Sequence, residues 1–146
     1  ALGFRRADGS ALPAQGSAYL LFPAGARGPA FLATDNFVAI WRYNKSDAYV
    51  LAIAHLADRL RGGPPLTGQW PADDRQLSRD ERIRLQRALA ARGYAVNNFA
   101  GQIDFEQRDG IRAEQAKAGF RADGHPDAAL LDFLTGKPAR SGTPAR

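Results

Sequence analysis

Residues 36–60, NFVAIWRYNKSDAYVLAIAHLADRL, form the densest apolar and aromatic stretch of the chain, and the rest is read outward from them. Phe37, Ile40 and Trp41 recur at spacings of three and four, which predicts an amphipathic helix. Tyr49, Ile53, Leu56 and Leu60 repeat the pattern, with Ala52 beside Ile53, which predicts a second helix and a buried face on it. Between them Tyr43-Asn44-Lys45-Ser46-Asp47 breaks the period, and its polar side chains compete with the backbone for hydrogen bonds. Two helices about a polar, tyrosine-bearing elbow make either a core corner or the wall of a groove.

Upstream, AYLLF (Ala18 to Phe22) fits a buried strand and AFLA (Ala30 to Ala33) its returning partner. The connection carries Gly25 and Gly28, which can supply positive φ. Thr34, Asp35 or Asn36 is placed to cap the first helix. Residues 1–17 carry turn chemistry without a sustained period and read as surface loop. The start Ala-Leu-Gly-Phe-Arg-Arg, without methionine or a signal-like apolar run, reads as a processed or excised piece.

Downstream, Gly62-Gly63-Pro64-Pro65 stops the second helix. The polar segment that follows, with Trp70 expected to pack across a junction, is the best domain boundary in the chain. Ser78 and Glu81 form a capping-box signature, followed by Ile83, Leu85, Ala88 and Leu89 on one face and Gly93 as a stop. A further helix runs from Phe105 or Glu106 to Ala118 and ends at Gly119. A last one is expected to start with Pro126 in its first position and to run through Leu134, burying Ala129, Leu130, Phe133 and Leu134. The expected division is 1–63, a linker over 64–76, a three-helix module over 77–135, and a disordered tail over 136–146.

Composition excludes several classes of function. The apolar fraction of 45% in 146 residues is that of a globular protein with a core. No apolar run is long enough to span a membrane. There is no cysteine, hence no disulfide or thiolate site, and His55 and His125 have no partner at metal-ligand spacing, so no metal or cofactor is expected. The net charge of +5 is spread evenly, with seven Lys/Arg against four Asp in residues 1–63 and thirteen against eleven acids in 64–146. A phosphate-reading surface concentrates its cations, so nucleic acid is not the expected partner, even for Arg82, Arg84, Arg87 and Arg92.

Cleavage of a glycosidic bond needs a carboxyl group with a raised pKa. The three glutamates are Glu81, assigned to capping, and Glu106 and Glu114, both expected to face solvent. Tyr43, Asn44, Ser46 and Tyr49 suit sugar recognition, since phenol rings stack on sugar faces and amides and hydroxyls bond to sugar substituents. From the residues alone, a cap from Asn44 or Ser46 and packed tyrosines are the preferred reading over sugar contact.

Residues 20–63 resemble the C-terminal part of the catalytic domain of B-type lytic murein transglycosylases. The resemblance rests on Pro23, Gly25, Gly28-Pro29-Ala30-Phe31-Leu32, Asn36-Phe37, the elbow Tyr43-Asn44-Lys45-Ser46, Tyr49, and Leu56 to Leu60. Residues 77–134 resemble the peptidoglycan-binding module often appended to such enzymes, through Leu85-Gln86, Leu89, Gly93-Tyr94 and Asp123-Gly124. Departures fall in the middle. Ala100-Gly101 stands for Asp-Gly, Glu114-Gln115 for Phe-Gln, and Gly110 for an alanine. Losing a core aromatic and gaining a mid-helix glycine are each expected to weaken packing by about 1 kcal/mol.

The resemblance implies a mainly α fold: a lysozyme-like catalytic-domain remnant with a short β-hairpin, then a small three-helix bundle. It implies a periplasmic enzyme, outer-membrane-associated in a full-length parent, that cleaves MurNAc–GlcNAc bonds in peptidoglycan. One glutamate protonates the glycosidic oxygen and then takes a proton from the muramyl 6-hydroxyl, giving a 1,6-anhydro product. In the family that glutamate lies upstream, so this chain alone is expected to be inactive. Tyr43 and Asn44 carry over as groups near the cleaved bond and Tyr49 as a nearby substrate contact. The alternative is a non-catalytic peptidoglycan-binding protein.

Overall fold

The computed structural model describes residues 6, 9–12 and 16–137. Much of the loop expected over 1–17, and the expected tail beyond Lys137, lie outside the described residues. Among the described residues the fold is mainly helical, with five helices and one two-stranded hairpin. No helix is long and apolar enough to cross a membrane.

Strand β1 (Ala18–Leu21) pairs antiparallel with β2 (Phe31–Thr34), placing Leu21 opposite Phe31 and Tyr19 opposite Ala33. The second strand is shifted one residue from the sequence expectation. Helix α1 (Asp35–Tyr43) follows without a break, with Thr34 as its N-cap. Helix α2 (Asp47–Leu60) starts after Ser46, whose Oγ accepts from the Tyr49 N–H at 3.3 Å. That bond satisfies one of the helix's orphan donors and fixes the elbow. Gly62, at φ +82°, ends α2 in a conformation closed to most other residues. Leu21, Ala33, Phe37, Trp41 and Val50 make the first apolar core, with Ile40 packed against it.

The face of α2 expected to be buried is the exposed one. Ile53, Leu56 and Leu60 are 38%, 55% and 81% exposed, and Val50 and Leu51 turn inward instead. Periodicity finds a stripe on a helix, but burial depends on which side reaches a neighbour, and α1 and the hairpin lie on the Val50 side.

Helices α3 (Arg79–Ala90), α4 (Phe105–Lys117) and α5 (Ala128–Leu134) enclose a second core of Leu77, Leu85, Leu89, Ile103, Ile111, Leu130, Leu131 and Leu134. The capping box forms as the sequence predicts. Ser78 Oγ accepts from the Glu81 N–H at 3.2 Å, and Glu81 Oε2 accepts from the Ser78 N–H at 2.8 Å. Hydrogen bonds from Arg75 and then from Ser78 pull the Glu81 carboxyl down to about 2. Helix α5 starts later than expected, because the Asp127 carboxylate accepts from the Leu130 N–H at 2.8 Å and takes the N-cap, leaving Pro126 outside. Its buried set is accordingly Leu130, Leu131 and Leu134, while Phe133 is 45% exposed and meets the edge of Phe120.

Two departures in α4 take on a structural reason. Glu114, expected at the surface, is buried, and its carboxylate accepts from the Tyr94 hydroxyl at 2.8 Å and from Lys117 at 2.7 Å. Arg92 Nε lies 3.3 Å from its other oxygen. A polar cluster thus stands where an aromatic ring was expected. Gly110 lies under Tyr94, so that a Cβ there would come within 3.0 Å of the ring's Cγ and Cδ1. Alanine at 110 gains about 1 kcal/mol of helix propensity, but the ring is pinned through its hydroxyl and cannot retreat freely. Gly110→Ala is therefore expected to leave the thermal midpoint at or below its original value, and a clear rise would contradict this.

Helix α4 also reaches the first core. Phe105 packs against Tyr19 and Trp41, with ring centroids 4.7 and 4.9 Å away. One turn on, Arg108 pairs with Asp47, and a further turn on Arg112 donates to the Leu20 carbonyl at 3.2 Å. Its other side carries Gln107, Ile111 and Glu114 into the bundle. The Asp123 carboxylate accepts from the Ala26 N–H at 2.8 Å, and His125 Nε2 meets Asp74 at 3.0 Å. The two cores are held together by polar bonds around one aromatic side chain.

Candidate functional site

The elbow between α1 and α2 opens onto a groove of about 580 Å³ that both parts of the chain build. Asn44, Lys45, Ser46 and Asp47 line one side, and Arg82, Gln102, Arg108 and His125 the other. Trp70, 49% exposed, stands at the wall with its ring 6.3 Å from that of Phe31. It therefore packs at the junction, as the sequence suggests, and also lines the groove.

Local chemistry explains the elbow's shape. Asn44 leaves the helical conformation, its N–H still bonded to the Ile40 carbonyl at 3.1 Å. Its own carbonyl accepts from the Ser46 N–H at 2.7 Å. These bonds, with the Ser46 cap, turn the chain within three residues and leave the Asn44 side chain on the groove wall. Tyr43, the last residue of α1, is 85% exposed, and Tyr49 is 36% exposed on the first turn of α2. Neither lines the groove. Of the three residues singled out from sequence, the structure places Asn44 on the groove and the two tyrosines on open surface beside the elbow.

The base of the groove is a buried ion pair. Asp47, at the N-terminus of α2 where the helix dipole favours a negative charge, bonds to Arg108. Arg108 also donates to the Gly124 carbonyl at 3.3 Å. Tyr19 lies beside this pair. Burial, and then the Asp47 charge, push its phenol well above the ordinary tyrosine range, while Arg108 pulls the other way. The phenol is thus neutral at any physiological pH.

The groove's other cations differ in their compensation. Among the described residues Arg82 is bound by backbone carbonyls alone, Nε to Gly101 at 2.6 Å and Nη1 to Leu77. Lys45 holds its ammonium 5.8 Å above the Trp41 ring, with no carboxylate in ion-pair range among the described residues. Sequence reading did not find Lys45 or Arg108 as site residues, because a lone cation on an amphipathic helix or in an elbow carries no pattern. None of the three glutamates lines the groove. No cluster of His, Cys, Asp and Glu capable of holding a metal occurs among the described residues.

Comparison with known proteins bears on both parts. Residues 1–58 match the family described as transglycosylase SLT domain, and residues 78–134 that described as putative peptidoglycan binding domain. No curated protein matches the chain. The structure is similar to that of SltB3 from Pseudomonas aeruginosa in complex with NAG-anhNAM-pentapeptide, with 50% identity and a TM-score of 0.70 over 88% of this chain. The same protein in complex with NAG-NAM-pentapeptide gives 51% identity and the same TM-score over 87%. The chain spans 35% of the length of SltB3. It thus joins a segment matching the transglycosylase SLT domain to one matching a peptidoglycan-binding domain, and over most of its length it is similar to SltB3.

Proposed function

We propose that this chain supplies one wall of the saccharide cleft, together with the wall-binding module, of a periplasmic lytic transglycosylase that cleaves MurNAc–GlcNAc bonds with formation of 1,6-anhydromuramic acid. The observation that carries this reading is the 50% identity, across both parts of the chain, to a protein whose structure holds NAG-anhNAM-pentapeptide. The division at 63, 76 and 135 follows the same reading, with the first unit catalytic and the last wall-binding.

In this reading Asn44 offers its amide to a sugar hydroxyl or N-acetyl group near the cleaved bond. Tyr43 and Tyr49, with their rings open to solvent, provide surfaces on which a sugar face stacks. The proton transfers need a carboxyl group poised near neutrality in an apolar cleft. Glu81 is held far below that range by Arg75, and Glu114 is bound by Tyr94 and Lys117, while Glu106 is exposed on α4. The general acid is accordingly assigned to the part of the enzyme upstream of this segment.

Incubation with purified sacculi tests both halves of the proposal. The chain alone is expected to sediment with the sacculi and to release no anhydromuropeptide detectable by mass spectrometry. Release of such products would overturn the assignment of the acid, and failure to sediment would overturn the wall-binding role.

A further inference from the structure

We propose that the groove between the elbow and the helical module binds the peptide portion of a murein fragment, recognising a free carboxylate through Lys45 and Arg82. The inference rests on the murein reading above and names the part of the ligand that this groove takes. Its charge is the first reason. Asp47 lines the groove but is neutralised by Arg108, and Asp74, just outside the lining, is engaged by His125 Nε2 and Gln76 Nε2. Arg82 has only neutral carbonyl partners, and Lys45 only an aromatic face. Two positive charges therefore remain on the wall without an acidic partner among the described residues, and a concave surface of one sign concentrates ligands of the other.

The neutral lining is the second reason. Asn44 and Gln102 offer amide donors and acceptors of the kind that pair with peptide groups, Gln76 offers its amide oxygen while its Nε2 is held by Asp74, and Trp70 offers a half-exposed apolar plate. A bare phosphate would leave these amides and the indole without a role, whereas a peptide ending in a carboxylate uses all of them. The volume of about 580 Å³ accommodates several residues of such a peptide. The groove also begins at Asn44, so a glycan held at the elbow can lay its attached peptide directly into it.

Titration calorimetry of the chain with NAG-NAM-pentapeptide and with the peptide-free NAG-NAM disaccharide, its lactyl carboxyl capped as the amide, tests the proposal. The pentapeptide form is expected to bind tighter than the disaccharide, and its binding to weaken with added salt. Lys45→Glu is expected to loosen the pentapeptide form about fivefold or more, by loss of an attraction and gain of a repulsion, and to leave the disaccharide unchanged. Trp70→Ala is expected to loosen the pentapeptide form as well. Lys45 is exposed and has no ion-pair partner among the described residues, so the circular dichroism of its variant should match that of the parent. Equal affinity for the two ligands, or unchanged pentapeptide binding by both variants, overturns the groove assignment and leaves the murein reading standing. So does absence of pentapeptide binding by a chain that still sediments with sacculi. If nothing binds and nothing sediments, the murein reading falls with it.

Discussion

Replacing Arg108 with alanine is expected to destabilise the chain by about 3–5 kcal/mol, the usual cost of stripping one partner from a buried ion pair. Asp47 would keep a largely buried carboxylate with no counter-charge, one of whose oxygens already lacks a hydrogen bond. The Gly124 carbonyl would lose a donor at the same time. In a chain of this size such a loss lowers the thermal midpoint by about 10 °C or more. The damage is also localised. The bond joins α4 to the first residue of α2, so its removal should weaken the coupling of the two cores and broaden the unfolding transition, while Phe105, Arg112 and Asp123 still link them. Arg108→Lys should recover only part of the loss, because a single ammonium does not reproduce a forked guanidinium that reaches Asp47 and Gly124 together. Replacing both members with Leu and Asn should cost less than Arg108→Ala alone, since no charge is left stranded. Calorimetry on the four proteins decides this, and a single transition within about 1 kcal/mol of the original for Arg108→Ala would show that the pair contributes little.

Glu114 is the second position where a large effect is expected, and its effect depends on pH. Burial works to raise the carboxyl's pKa, but hydrogen bonds from Lys117 and Tyr94, with the Lys117 and Arg92 charges, outweigh it and hold the group below the usual range. A carboxylate depressed on folding stabilises the protein above its unfolded value, about 4.3 for Glu, and that stabilisation is lost as pH falls through the folded value. Unfolding free energy should therefore decline on acidification below about pH 4–5. Glu114→Gln should flatten the part of the decline that belongs to this group. Glu114→Ala should cost about 2–3 kcal/mol at neutral pH, because the Tyr94 hydroxyl loses its acceptor and a void opens. Urea unfolding from pH 3 to 7 reads both. Identical pH dependence in the parent and Glu114→Gln would remove Glu114 from the account.

The same helix shows what a one-dimensional pattern carries and what it does not. The two helices about the elbow, the Ser78–Glu81 capping box and the stops at Gly62, Gly93 and Gly119 were legible because each depends on residues a few positions apart. The hairpin was legible for the same reason, to within one residue. The buried side of α2 was not, since the stripe through Ile53, Leu56 and Leu60 is periodic whether or not anything covers it. Asn44 could be singled out from its place in the elbow. Lys45, Arg82 and Arg108 could not, because their meaning comes from partners up to 61 positions away. Gly110 and Glu114 read as damage when compared with a pattern for a free-standing module. Tyr94 gives both of them a purpose, and it lies in a different segment.

Helix α4 has little surface to spare. Phe105, Arg108 and Arg112 answer to the hairpin and the elbow, while Gln107, Ile111 and Glu114 answer to the bundle. A substitution that improves one allegiance is judged at once by the other, so the helix can drift only along paths acceptable to both. A sequence shaped by two masters will look irregular against the pattern of either one. The irregular positions Gly110 and Glu114 answer to Tyr94 inside the bundle, and Phe105, Arg108 and Arg112 add a second set of demands from outside it.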